Sequence, residues 1–387
     1  MIQGLAVLNY SGYEPKRWHA TLIMIAFAGI STIGNTFGKK LLPLWETLGG
    51  VLHVLFFFLV MIGILATSDK TSNHDVWGTF INGGGWNSDG VSFCLGFLTP
   101  AFALAGVDAV IHMSEEAFNA PLNIPRAMIW SVIINGTAGF AYILAVLYSI
   151  TDPDAVLSNE TGFPIIGVFL EATNNQKAAT AMMTAVIIVF TMNLFGIVAS
   201  VSRLIWAFSR DKGLPFSGFF SHITPWNKCP TNAVVSIFVA VSLLSLINIG
   251  STTAFNALIS LTTLGFYISY AIPILMFAIR RSNKSNPITF GPWALGRSGL
   301  VMNVLAIAFC IFLIIFLPFP PVLPVTGTNM NYASPVFIAV MLFASINYYV
   351  RARRRFTGPI KEVTSETSSE NVAHESIVAE KQPADSS

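Results

Sequence analysis

Asp108 is the one acid set well inside an apolar stretch of this chain. It follows Phe102-Ala-Leu-Ala-Gly106-Val107 and precedes His112 by one helical turn. A helix continuing through both would put carboxylate and imidazole on one face. Charge is costly to hold in hydrocarbon, and where it occurs it marks ligand or ion pathways. Gly106 weakens the helix just before the acid, and a break there would free backbone N–H and C=O groups to meet a ligand. An acid so placed can hold an ammonium group or carry a proton. The plainer alternative is a kinked helix in which Asp108 only pairs with His112 or a nearby hydroxyl.

Other polar residues in apolar surroundings are few. His53 sits among Val51, Leu52, Val54 and Leu55, where a neutral imidazole bonded to a carbonyl and a proton relay are both open. Asn193, Gly196, Ser200, Ser202 and Arg203 make a polar inward stripe. Small and hydroxyl residues at this spacing serve helix packing as well as ligand contact, and Arg203 is placed to snorkel. Ser114-Glu-Glu-Ala-Phe-Asn-Ala-Pro-Leu-Asn-Ile-Pro-Arg126 is too polar to span a bilayer. Its paired acids, Glu115 and Glu116, and its two prolines predict a structured connection. No phosphate-cradling loop, kinase signature or nucleophile elbow is present. No cluster of His, Asp and Glu in the apolar stretches suits a catalytic metal. Cys94, Cys229 and Cys310 are odd in number and far apart, which excludes a disulfide framework or a zinc cluster. The expectation is therefore no enzyme, no cofactor and no metal.

The elements that must hold these residues follow from composition. Of 387 residues, 53% are apolar and only 10% charged, against about 25% charged in soluble proteins. Mean hydropathy is +0.65. So few charges cannot cover a soluble surface of this size, and the chain must meet lipid. The net charge of +2 gives no field for nucleic acid. Windows of about twenty apolar residues predict nine spans, at 20–38, 45–66, 94–113, 127–150, 180–206, 232–249, 255–279, 301–319 and 334–350. Asn248 to Thr253 separates one charge-free pair of spans, and Pro318, Pro320, Pro321 and Pro324 the other.

Basic residues orient the spans. With the C-terminus in the cytosol, Lys39, Lys40, Arg126, Arg210, Lys212, Lys228, Arg280, Arg281, Lys284, Arg297 and the arginines from Arg351 to Arg355 all lie inside. The outer segments hold Lys16, Arg17, Lys70 and Lys177 alone, as the positive-inside rule demands. The glycosylation sequon Asn159-Glu-Thr161 then falls outside. Residues 1–19 form an outer segment, 20–350 the membrane domain and 351–387 a cytosolic tail, which from about residue 357 is polar enough to be disordered. An odd span count puts the N-terminus outside without a signal peptide. Met-Ile-Gln-Gly-Leu-Ala-Val-Leu reads like the outer end of a preceding span, so an N-terminal portion is expected to be lacking.

Two loops carry a resemblance. Asp108–Arg126 resembles the sixth-helix region of the amino acid–polyamine–organocation superfamily, which runs from a broken helix into Glu-Glu, Asn-Pro and Ile-Pro. Trp206-Ala-Phe-Ser-Arg-Asp-Lys-Gly-Leu-Pro215 is similar to its loop after helix eight. Asn9-Tyr, Arg17-Trp-His19 and Leu48-Gly-Gly-Val-Leu-His53 resemble the fungal GABA- and choline-permease-like group. One departure is Asn119-Ala-Pro121, where the superfamily has Asn-Pro.

The resemblance implies an all-α, LeuT-like fold of two inverted repeats, with these nine spans as helices four to twelve of twelve. It implies that Phe102, Ala105, Gly106 and Asp108 line a substrate site, with Asn193 a further candidate, and that Glu115 and Glu116 act in gating. Asp108, His112 and His53 are the candidates for proton coupling. The implied activity is secondary active uptake of an amino acid or a small amine such as GABA or choline, coupled to protons. The implied location is the plasma membrane, with the vacuolar membrane as the alternative. A choline site would want aromatic faces, for which Phe102, Trp206 and Tyr267 are available. The competing reading is a non-transporting nutrient sensor or a truncated, non-functional permease.

Overall fold

A backbone in lipid must satisfy its N–H and C=O groups within its own segment, and helices do so. The computed structural model describes residues 1–38, 40–283, 288, 290–327, 329–356 and 358. Among them are nine helical segments long and apolar enough to cross a membrane, and no strand beyond an isolated bridge between Thr224 and Cys229. In order, the spans are Arg17–Phe37, Leu42–Thr67, a broken third between Asp89 and Glu116, Ala120–Ser149, Gln176–Arg210, Thr231–Gly250, Thr252–Ser282, Gly299–Phe316 and Ala333–Val350. Each contains the stretch expected from hydropathy to within a few residues. The protein is all-α and polytopic. The tail from residue 357, expected to be disordered, lies outside the described residues apart from Gly358.

Local chemistry sets the ends. Ser251 caps the seventh span by accepting from the Ala254 N–H at 3.1 Å, so the Asn-Ile-Gly-Ser run divides two spans as its residue types suggest. Ala120 and Pro121 open the fourth span, and Pro125 lies inside it. The connection expected across 114–126 is therefore reduced to residues 117–119, with Asn119 left-handed at φ 47°. Pro121 loses little there, because the first four N–H groups of a helix have no intrahelical acceptor.

Large apolar side chains such as Phe58, Ile62, Phe140, Leu243 and Phe343 stand exposed around the spans, a surface that only lipid or protein can cover. Inside, one cluster joins Val60 and Ile64 of the second span to Ala145 of the fourth, Met183 of the fifth and Phe169 of the short helix Pro164–Thr173. A second joins Ala101 of the third span to Leu264 and Tyr267 of the seventh, Cys310 and Leu313 of the eighth and Ala333 of the ninth. The first and sixth spans pack closely and share buried polar contacts, with the Thr21 hydroxyl donating to the Ser245 carbonyl at 3.1 Å. Gly34 admits the Phe195 ring of the fifth span, where a Cβ would stand 2.3 Å from it.

The third span belongs to both halves. Its first part packs with the seventh and eighth spans, while its last part lies against the fourth and fifth. The break falls where it passes from one group to the other.

Candidate substrate site

The third span is helical over Asp89–Gly96 and Leu98–Ala103, turns through residues 104–106, and resumes as a 3-10 helix over Val107–Glu116. Gly106 takes φ 86°, a left-handed conformation open to glycine at little cost. At the break the Ala105 N–H reaches the Phe102 carbonyl, leaving the Ala101 carbonyl and the Gly106 N–H without helical partners. Two tyrosines of the seventh span take them up. The Tyr267 hydroxyl donates to the Ala101 carbonyl at 2.9 Å. The Tyr270 hydroxyl accepts from the Gly106 N–H at 3.1 Å and donates to Asp108 Oδ1 at 2.6 Å.

Asp108 Oδ2 is 3.3 Å from His112 Nε2, and both side chains are little more than a fifth exposed. The pairing expected from sequence is thus formed, but on a 3-10 segment. Ten residues is a long run for that geometry. The segment is about 5 Å longer than the same residues in an α-helix, and the fifth span holds it extended. Ser200 donates to the Ala109 carbonyl at 3.0 Å. Arg203 Nε meets Glu116 Oε1 at 3.1 Å, and Arg210 grips both Glu115 oxygens at 2.9 and 3.2 Å. Arg203 does not snorkel. It is 5% exposed and also donates to the Ala199 carbonyl, because Glu116 offers it a counter-charge inside the bundle.

A cavity of about 350 Å³ opens beside this segment, lined by His112, Glu115, Glu116, Arg203, Trp206 and Lys228 among others. It lies at the end of the bundle that carries the basic loops. Phe102 stands 56% exposed next to the break. Ala105 and Gly106 are half-buried within it.

Other candidates sit elsewhere. His53 is exposed on the second span, and the carbonyl bond expected of it is not formed among the described residues. Asn193 is also exposed, while Ser200, Ser202 and Arg203 of the same stripe are buried. The stripe therefore faces inward only at its later end. Asn159 accepts from the Thr161 N–H at 2.9 Å in a turn beside the Pro164–Thr173 helix. Of the three aromatics available for a cation, Tyr267 is buried and committed to the break, and Trp206 carries the Arg210 guanidinium over its ring at 4.7 Å. Phe102 alone keeps an open face.

Tyr270 was missed from sequence. Its signal was the pair of phenols at 267 and 270 in a charge-free span, each needing a partner away from water. Glu46 is a second carboxylate within a span, in the first turns of Leu42–Thr67, and it packs on Gly196 of the fifth span.

Broken helix, half-buried acid and lipid-facing exterior define an integral membrane protein with a polar site at the break. Comparison with known proteins then specifies which. Residues 1–343 match the family model described as "Amino acid permease", and the chain belongs to that family. It is 32% identical to a choline transporter of Saccharomyces cerevisiae over 361 residues, covering 92% of this chain and 62% of that protein. It is 31% identical to an amino-acid permease of Arabidopsis thaliana over 358 residues, 90% of this chain and 66% of the relative. Amino-acid permease 2 of Neurospora crassa is 29% identical over 368 residues, 93% of this chain and 66% of the relative. The chain thus spans 62–66% of the length of these three relatives.

Proposed function

We propose that the protein carries out secondary active uptake of an amino acid or a small amine such as choline, coupled to protons, with its substrate bound at the break in the third span. The observation that carries this reading is the arrangement of Tyr267, Tyr270 and Asp108 around Gly106. A broken helix held by tyrosines is a standing polar site within a span, built where an unbroken helix would be more stable. Phe102 supplies an aromatic face and Asp108 a carboxylate, a pair suited to a cationic or ammonium group. His112 beside Asp108 provides a second group able to share a proton. Glu115 and Glu116, clasped by Arg210 and Arg203, hold the cavity end of the third span and act as its gate. The relatives named a choline transporter and amino-acid permeases support the substrate class. In this reading the basic loops and the C-terminus face the cytosol, and the plasma membrane is the site of action.

The test is radiolabelled uptake in cells deficient in their own permeases, comparing amino acids, GABA and choline across external pH. Uptake that rises as external pH falls is expected. Uptake equal to that of empty-vector cells for all three classes would overturn the proposal.

A further inference from the structure

Away from the third span, one surface joins fixed positive charge to exposed rings. The ninth span ends at Val350, and Arg351, Arg353, Arg354 and Arg355 follow, wound through a short 3-10 turn over Ala352–Arg354. Arg353, Arg354 and Arg355 are exposed, and none forms an ion pair among the described residues. The row is anchored by aromatic contacts to another part of the bundle. Arg351 Cζ lies 6.0 Å from the Phe216 ring centre, and Phe356 meets the Phe208 ring of the fifth span at 6.0 Å. Phe216 precedes the short helix Ser217–Phe220, and Phe216 and Phe219 remain 71% and 54% exposed.

Arginines and open rings therefore share one shelf at the level where the fifth and ninth spans end. A charged row that merely faces water needs no exposed phenylalanines beside it. Aromatic rings at span ends suit the headgroup boundary, and basic clusters next to a transmembrane helix attract anionic lipid. The arginine fork matches phosphate oxygens two at a time. We propose that this surface binds the headgroups of anionic phospholipids in the leaflet that the basic loops face. Phe216 and Phe219 seat in the upper acyl region, and Arg353, Arg354 and Arg355 donate to the phosphates.

Native mass spectrometry of the whole chain, released from micelles with equal phosphatidylcholine and phosphatidylserine, reads this directly. The wild type should keep more phosphatidylserine than phosphatidylcholine. The excess should fall by up to about fivefold for each arginine replaced in Arg353→Gln, Arg354→Gln and Arg355→Gln, and should shrink as salt is raised. Arg297→Gln, on a different basic loop, should leave it unchanged. Equal retention of the two lipids by the wild type would overturn the proposal, and needs no variant to fold. So would a preference that survives the triple substitution, or one that Arg297→Gln abolishes equally.

Discussion

The Tyr270 hydroxyl lies 2.6 Å from the Asp108 carboxylate, and the same oxygen accepts from the Gly106 N–H. One side chain of the seventh span thus steadies both the break in the third span and the acid beyond it. Because the two spans pack through this contact, any motion that separates them must release Asp108.

Tyr270→Phe keeps the ring and removes both bonds. An unsatisfied group in such a place costs about 1–3 kcal/mol, which corresponds to about thirtyfold at the middle of the range. Uptake should fall about thirtyfold with the protein still in the membrane, and its pH profile should shift. Wild-type uptake and profile would mean that the hydroxyl is idle.

Asp108→Asn keeps the shape and removes the charge. Insertion scales charge about 2.5–3.5 kcal/mol for an aspartate at a helix centre, so a purely structural acid should tolerate the change or gain from it. The variant is expected at the surface, with most uptake or its dependence on external pH lost. Unchanged affinity, rate and pH profile would make the acid structural.

The two ion pairs at the cavity end should differ in strength. Arg203 is 6% exposed in its side chain, whereas Glu115 is 55% exposed and Arg210 24%. Removing one partner of a buried pair costs about 3–5 kcal/mol, and the 47% exposure of Glu116 discounts that toward the lower end. An exposed pair is worth about 0.2–1 kcal/mol. Glu116→Gln, which strands Arg203, should lower the melting temperature in detergent markedly, and Glu115→Gln should barely move it. Equal shifts would show that burial does not rank them.

Orientation can be read in intact cells. Single cysteines in the loops at 67–93 and 151–179, in a cysteine-free background, should react with an impermeant maleimide. Those at 117–119, 207–231 and 280–300 should not. The reverse pattern would invert the topology.

Span number and position were legible in the sequence because they depend on local quantities. A window of about twenty apolar residues must form a helix in lipid, and Gly106 beside Asp108 marks where one must weaken. The break came out where those two residues put it. The partners were not legible. Tyr270 lies 162 residues from Asp108, and Arg203 lies 87 from Glu116. A polar group away from water takes whichever partner the packing of distant segments brings near, and neither periodicity nor composition records that choice. The same limit hides the exposure of Asn193 and His53, which packing alone sets. It also hid the 3-10 form of Val107–Glu116, which depends on the hydroxyl and guanidinium grips of the fifth span. Sequence determined where the third span must break, and tertiary structure alone decided what holds the break open.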